Sequence, residues 1–334
     1  MMRFDSIAWI RSPAFDLLVI SNVLWPLLLL PGFSSTQDTA VDFWQLYFLT
    51  LPHRWMTMFL VAIDPDRRQS LQWQLLASAL LLAALVWGVE LGTGTLLCLG
   101  ALDYIWNGWH FASQHAGVLR IYAKKTSDGN SGGGMAWLER WGVRGFITYV
   151  ILRTAGMTLW GGIPQMQASH IGSWLEWLDV VMLGFPIALW MTNLRDVRVE
   201  RLGKVIYLSS VMLLYSGYLL AFRSDEAPWI LCFATAAAMF HAVEYLAIVS
   251  HYAMRRENHG SSGPMQWFAK QWVAVLIGFM LVTGALGWWL THSGAAAASV
   301  WQTWNLWAAL THYTWDGWIW KLRRAETSQA LGAT

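Results

Sequence analysis

Ten runs of mostly apolar residues, each about 20 residues long, follow one another along the chain with short connections between them. A run of this length can cross a membrane as a helix, which satisfies every backbone N–H and C=O within the segment. The composition agrees, because 56% of the 334 residues are apolar and 13% are charged, against roughly a quarter charged in soluble domains. The sequence therefore predicts an all-α fold, a polytopic transmembrane helical bundle that forms one integral-membrane domain over residues 1–334. The predicted spans are residues 14–32, 43–63, 71–90, 95–121, 137–161, 174–194, 204–222, 227–252, 267–290 and 299–320.

Basic residues are concentrated after the even-numbered runs, for example at Arg67, Lys124 and Arg255. The connections on the other side contain no lysine or arginine except Arg223. Because positive charge accumulates on the cytoplasmic side, this pattern predicts a multi-pass protein of the cell's inner (cytoplasmic) membrane with both termini cytoplasmic. The first run lacks a small-residue cleavage site, so we expect it to remain as an anchor.

A polar stripe crosses the fourth run, within the segment ALDYIWNGWHFASQHAGVLRIY. The stripe consists of Asp103, Asn107, His110 and Gln114, with His115 beside it. Spacings of four, three and four residues put the four side chains on one helix face, at about 100° per residue. Polar groups in hydrocarbon are costly, so the stripe must face other protein groups, a water-filled cavity or a bound ion.

Histidines in four even-numbered runs lie at one depth. His53, His110 and His241 each come 14 residues before a basic residue at the cytoplasmic end of their run. His312 comes 11 residues before Arg323. At a rise of about 1.5 Å per residue these side chains lie within about one helical turn of a common level, so we predict that they converge as metal ligands. Two further candidate ligands, for the same ion or for a second one, lie one to three turns nearer the cytoplasm, at His115 and His251.

Carboxylates accompany these histidines. Glu244 follows His241 by three residues and Asp316 follows His312 by four, so each acid shares a face with its histidine. Glu244, Asp316 and Asp103 are the predicted catalytic carboxylates, as bridging or terminal ligands or as groups that orient the histidine rings. Neutral imidazoles with carboxylates and no paired cysteines suit iron, zinc, copper or manganese.

Two arginines and two tryptophans are the predicted substrate-binding residues. Arg54 and Arg153 lie within runs, where each could neutralise one of the carboxylates or hold an anionic head group or a carboxylate product. Trp106 and Trp109 flank the polar stripe and are the candidates for lining a pocket. Most of the other tryptophans, among 25 in the chain, are typical of an aromatic belt at the membrane edges.

Four short motifs carry the histidines, and they follow one another from residue 51 to residue 316. They are Leu51-Pro52-His53, Trp109-His110-Phe111, Phe240-His241 with His251, and Thr311-His312 with Asp316. Their order resembles that of the Brp/Blh family of membrane β-carotene 15,15′-dioxygenases. The resemblance implies that these histidines hold a non-haem iron that activates O₂ against a polyene. The chain departs from the family at Arg54 and Thr57, where the family has Gly and Asp after the first histidine.

The sequence thus predicts an integral-membrane non-haem metalloenzyme, an iron-dependent oxygenase or oxidase that holds one or two iron ions. Its expected partners are O₂, membrane lipids and a lipid-soluble substrate such as an isoprenoid, a carotenoid or a fatty chain, and no nucleic acid. Two other functions remain open. One is a proton- or ion-coupled transporter that uses a His/Asp/Glu relay, and the other is a haem b electron-transfer protein with two histidine ligands.

Overall fold

The computed structural model describes residues 8–33, 46–68, 71–126, 134–159, 170–195, 198–258, 264–323 and 325–332. Within these residues every regular element is helical, which confirms the predicted all-α fold. The long helices are α1 (Leu51–Ile63), α2 (Gln72–Thr93), α3 (Leu97–Lys125), α4 (Gly134–Leu159), α5 (His170–Arg195), α6 (Leu202–Arg223), α7 (Ala227–Asn258), α8 (Trp272–His292) and α9 (Ala295–Ile319). Shorter helical segments are Pro13–Phe15, Asp16–Ile20, Trp25–Phe33, Leu46–Thr50, Pro65–Arg68, Val199–Arg201, Pro264–Lys270 and Ala325–Ala330.

Six segments of the described chain are long and apolar enough to cross a membrane. They are Pro13–Leu30, Gln72–Thr93, Trp174–Arg195, Val199–Arg223, Ala227–Arg255 and Trp272–His292. Each of the ten runs predicted from the sequence overlaps helical structure. The chain therefore has the helices of a membrane protein, and the crossing of the bilayer by all ten runs stays a prediction.

The first predicted run differs from the others because it is not one continuous α-helix. A single α-helical turn at Pro13–Phe15 leads into a π-helical turn at Asp16–Ile20, and a 3₁₀ segment begins at Trp25. Asn22, between them, has a φ of 42°. Pro26 has no N–H to donate to the preceding turn, so an α-helical ladder does not continue through this region.

The chain forms two compact units. The first unit comprises Met1–Val41, Gly108–Glu244 and Gly332–Thr334, and the second comprises Asp42–Asn107 and Tyr245–Leu331. The boundaries fall within α3 and α7, so each of these helices contributes residues to both units. Each unit therefore carries some of the predicted histidines.

Helix α9 is the centre of the second unit, where it packs against α1, α2 and α8. The buried core next to it includes Met56, Leu60, Val249, Tyr252 and Trp272. By contrast, α2 and α8 are mostly exposed, because only 11% of the most apolar stretch of each helix is buried within the protein. Many of their leucines and tryptophans are exposed. Apolar faces of this extent suit contact with lipid chains.

Helix α6 is the centre of the first unit, where it packs against α4 and α5. Its contact with α7 depends on a small residue, because Gly217 faces the ring of Phe233. That ring also packs against Trp25 and Tyr218, with centroid distances of 6.1 and 6.4 Å. Phe233 therefore has little room to move away from α6.

Replacing Gly217 by alanine is expected to lower the free energy of unfolding by about 1–3 kcal/mol. The added Cβ would lie 2.6 Å from two ring carbons of Phe233, which is well inside van der Waals contact. Thermal unfolding of the detergent-solubilised protein measures the loss. The matched control is Gly278→Ala, whose Cβ meets no atom within 4 Å and which should leave stability unchanged or raise it by up to about 1 kcal/mol. Equal losses at both positions would contradict the prediction.

Candidate functional site

The second unit brings two of the predicted ligands together, His53 from α1 and His312 from α9. Their ring centroids lie 5.1 Å apart with the ring planes at 84°, and a nitrogen of one ring lies within 4.8 Å of a nitrogen of the other. Both imidazoles are buried, with exposed fractions of 3% and 0%. Pro52 lies where the π-helical turn Leu46–Thr50 passes into α1, and its missing N–H suits this change of helix type just before His53.

Thr57, one turn after His53 on α1, is the centre of a hydrogen-bond network in the second unit. Its hydroxyl donates to Oδ1 of Asp316 at 2.9 Å and lies 2.7 Å from Nδ1 of His312. It also contacts the hydroxyl of Tyr245, and that hydroxyl donates to Oδ1 of Asp316 at 3.2 Å. The second oxygen of Asp316 lies 3.6 Å from Nδ1 of His312. Thr57 and Asp316 therefore fix the Nδ1 side of the His312 ring.

A second polar group in the same unit includes the predicted carboxylate Asp103. The hydroxyl of Tyr313 lies 3.0 Å from Oδ1 of Asp103 and 3.1 Å from Oδ1 of Asn107, and can donate to either. Arg54 is close enough for its charge to interact with Asp103 and Tyr313. The first half of the α3 stripe thus faces Tyr313, and Arg54 lies beside one of the acids that it was predicted to neutralise.

The first unit brings together another pair of predicted ligands, His110 from α3 and His241 from α7. Their ring centroids are 5.0 Å apart with the planes at 78°. The ring of Phe111 stacks on His241 at a centroid distance of 3.8 Å and a plane angle of 14°. Both histidines are buried, and the stacked phenylalanine limits how the His241 ring can turn.

Glu244 occupies the centre of a hydrogen-bond network in the first unit and is fully buried. The hydroxyl of Tyr207 donates to Oε1 at 2.5 Å, and the amide of Gln114 donates to Oε2 at 2.8 Å. Nδ1 of His115 lies 3.0 Å from Oε2. The same Gln114 amide also donates to the carbonyl oxygen of His241 at 2.9 Å. Each carboxylate oxygen of Glu244 thus accepts a hydrogen bond from another buried or partly buried side chain of the first unit.

The two additional predicted ligands, His115 and His251, differ in their surroundings from the two pairs. Nδ1 of His115 lies 2.9 Å from the hydroxyl of Tyr207, and its Nε2 lies 3.4 Å from that of Tyr215. His115 therefore belongs to the hydrogen-bond network of Glu244. His251 is buried in the second unit and comes ten residues after His241 on α7, a rise of about 15 Å. It is too far from His241 for the two to share one ion.

Arg153 pairs with an acid that the sequence analysis did not single out. Its Nε lies 3.2 Å from Oδ1 of Asp179, whose side chain is 1% exposed. The same carboxylate accepts from the hydroxyl of Tyr149 at 2.5 Å and lies 3.4 Å from Nη1 of Arg223. Arg153 is therefore neutralised within the first unit by Asp179, and its expected pairing with Asp103, Glu244 or Asp316 is corrected to this partner.

The two tryptophans predicted to line a pocket lie in different surroundings. Trp109 is 40% exposed and packs against Trp141 at a centroid distance of 6.2 Å in the first unit. Trp106, in the second unit, packs against Tyr313 at 6.0 Å. Trp106 is thus next to the polar group around Asp103, whereas Trp109 is on an outer face.

Each unit therefore holds one buried histidine pair, accompanied by a carboxylate on one of the same helices. The pairs are His53 with His312 and His110 with His241. Comparisons of this chain with protein-family models, with curated proteins and with solved structures found no match.

Proposed function

We propose that this chain is an integral-membrane non-haem metalloenzyme, an iron-dependent oxygenase or oxidase in which His53, His110, His241 and His312 bind one or two iron ions. The observation that carries the proposal is the spacing within the two histidine pairs, 5.1 and 5.0 Å between ring centroids. With metal–nitrogen bonds of about 2.1 Å, two imidazoles that share an ion at a tetrahedral angle have ring centres about 5 Å apart. Both pairs have this spacing, and both are buried from solvent.

The supporting groups have defined roles in this proposal. Thr57 and Asp316 hold the Nδ1 side of His312, so that ring would bind an ion through Nε2. The ring of Phe111 stacks on the ring of His241 and so restricts its rotation. Bound iron with an open coordination position would supply the reactivity toward O₂. The chain would supply the ligand geometry and exclude water, since the surrounding side chains are buried.

The substrate that we infer is hydrophobic and lipid-like, and an isoprenoid, a carotenoid or a fatty chain has this chemistry. The support is the membrane character of the helices, whose exposed faces are apolar, because such a substrate can reach the protein directly from the bilayer. Arg54, which follows His53 on α1 and whose charge interacts with Asp103, is the candidate for an anionic end of the substrate. The distribution of lysine and arginine supports ten spans, both termini in the cytoplasm and location in the inner membrane.

Elemental analysis of the purified protein tests the proposal directly. We expect at least about one equivalent of iron per chain after reconstitution under reducing conditions, because the four buried histidines and the carboxylates near them can supply enough ligands for an ion. The stoichiometry reports whether one ion or two is held. Less than about half an equivalent of any transition metal, both as purified and after reconstitution, would rule out the metalloenzyme.

A proton- or ion-coupled transporter is the second candidate, favoured by the two hydrogen-bonded networks. Titratable groups follow one another at hydrogen-bond distance from Tyr207 through Glu244 to His115, and a similar chain includes Asp316 and Tyr245. Such chains can carry protons through a membrane protein. Full pH-dependent flux by metal-free protein in liposomes would favour this function over the first.

A haem b protein is the third candidate function, and the distance between the rings within each histidine pair argues against it. Two axial imidazoles lie on opposite sides of the macrocycle, which requires ring centres about 6 Å apart with the porphyrin between them. Neither pair has that separation. A visible spectrum of the sample used for metal analysis tests this, because a Soret band with split α/β bands on reduction would identify haem.

A further inference from the structure

Three arginines of the first unit lie together at the ends of two consecutive helices. Arg120 is in the last two turns of α3, and Arg140 and Arg144 are in the first three turns of α4. The charges of Arg140 and Arg120 are close enough to repel that of Arg144. Arg140 and Arg144 are also four residues apart on one helix, a spacing at which like charges destabilise it. We call Arg120, Arg140 and Arg144 the arginine cluster.

The arginine cluster has no acidic partner within the described residues, because no carboxylate there forms an ion pair with any of the three. Other cations of the same unit are paired. Lys204 lies 2.7 Å from Oε1 of Glu139, and Arg153 lies 3.2 Å from Asp179. The cluster thus concentrates positive charge that the described residues of the first unit do not neutralise.

Tryptophan rings pack against the guanidinium groups of two members of the cluster, Arg140 and Arg144. The guanidinium of Arg144 lies over the rings of Trp109 and Trp141, 5.6 and 5.2 Å from their centroids. That of Arg140 lies 5.3 Å from the centroid of Trp141. Both tryptophans are 40% exposed. Trp141 lies in the first three turns of α4, and an exposed tryptophan beside arginines near a helix end is typical of the level of the lipid head groups. Trp109 lies deeper, near the middle of α3.

We propose that the arginine cluster binds the phosphate head group of an acidic phospholipid. Basic groups between neighbouring membrane helices on the cytoplasmic side recognise such head groups, and the loop between α3 and α4 is on that side in the topology we infer. The bound phosphate would offset the repulsion among the three arginines, and the indole ring of Trp141 would lie against the upper part of the acyl chains. This site is independent of the proposed metal chemistry.

The test is native mass spectrometry of the full-length protein in detergent, titrated with short-chain phosphatidylglycerol, short-chain phosphatidylcholine and inorganic phosphate. We expect phosphatidylglycerol to bind in preference to the other two, with an affinity that falls as NaCl is raised. The triple variant Arg120→Gln/Arg140→Gln/Arg144→Gln should bind it about 100-fold more weakly, at the usual contribution of each basic residue near a lipid surface. The single variant Arg144→Lys, which keeps the charge, should lose much less.

The matched control changes the net charge equally at three dispersed and exposed cations, Arg68→Gln/Arg195→Gln/Lys270→Gln, and should bind phosphatidylglycerol as the wild type does. Equal binding of phosphatidylcholine, effective competition by inorganic phosphate, or an unchanged affinity of the triple variant would each overturn the proposal. If the triple variant does not fold, the single variant Arg120→Gln takes its place. Weaker phosphatidylglycerol binding by this variant, together with weaker wild-type binding in NaCl, would support the proposal, and no change in either would overturn it.

Discussion

Alanine in place of His312 is expected to weaken iron binding at the His53–His312 pair by at least tenfold, so that a protein holding one ion loses its iron and a protein holding two loses half of it. His312 is fully buried and shares its site with His53 at a centroid distance of 5.1 Å. Loss of one of two paired imidazoles leaves a single ring and an open position in the coordination sphere. The measurement is metal content per chain by elemental analysis, on protein purified and reconstituted in parallel with the wild type.

The control for this variant is His292→Ala in the same unit. His292 is exposed at the end of α8, so its loss should leave the iron content unchanged. Thr57→Val gives an intermediate case, because it removes the hydroxyl 2.7 Å from Nδ1 of His312 while it keeps the side-chain shape. Removal of such an orienting partner commonly weakens metal affinity by about 10–100-fold. Wild-type iron content in His312→Ala would show that His312 is not a ligand.

The helices could be predicted from the sequence because of one strong constraint. In lipid a backbone must satisfy its own hydrogen bonds, so an apolar run of sufficient length has almost no alternative to a helix. The exception is informative. In the first run, Pro26 interrupts the α-helical ladder and Asn22 adopts a positive φ, so apolar composition alone overestimates the regularity of that segment.

The candidate site was less predictable, because a sequence gives the depth of a side chain along its helix but not the neighbours that it meets. Depth was enough to suggest that His53 and His312 belong together, since the rise per residue is constant. The rotation of each helix and the choice of adjacent helices are set by packing. For this reason the partner of Arg153, which is Asp179 on α5, could not be identified beforehand.

Two residues of the site, Thr57 and Tyr207, were not predicted, because the sequence does not show which side chains of different helices meet. Thr57 lies one turn after His53 on the same helix face, so its role could have been suspected from spacing alone. Tyr207 is on α6, in a run with no histidine, and nothing in its sequence context indicates that it donates to Glu244. Tyrosines are common in membrane helices near interfaces, which hides the few that bond to buried acids.

Alanine in place of Glu244 is expected to lower the free energy of unfolding by about 3–5 kcal/mol, because it leaves several buried polar groups without their partner. The carboxylate accepts from Tyr207 at 2.5 Å and from Gln114 at 2.8 Å, and lies 3.0 Å from Nδ1 of His115. Its loss leaves these buried groups of α3 and α6 without their acceptor. Thermal or denaturant unfolding in detergent, followed by tryptophan fluorescence, measures the change.

Two variants separate the possible causes of this loss. Glu226→Ala removes an exposed carboxylate of the same unit and should change stability by less than about 0.5 kcal/mol. Glu244→Gln keeps the size of the side chain and one accepting oxygen, so it should cost only about 1–2 kcal/mol if hydrogen bonding dominates. If glutamine is as damaging as alanine, the second carboxylate oxygen of Glu244 is needed to join α7 to α3 and α6. If neither variant is less stable than the wild type, the network around Glu244 does not stabilise the first unit.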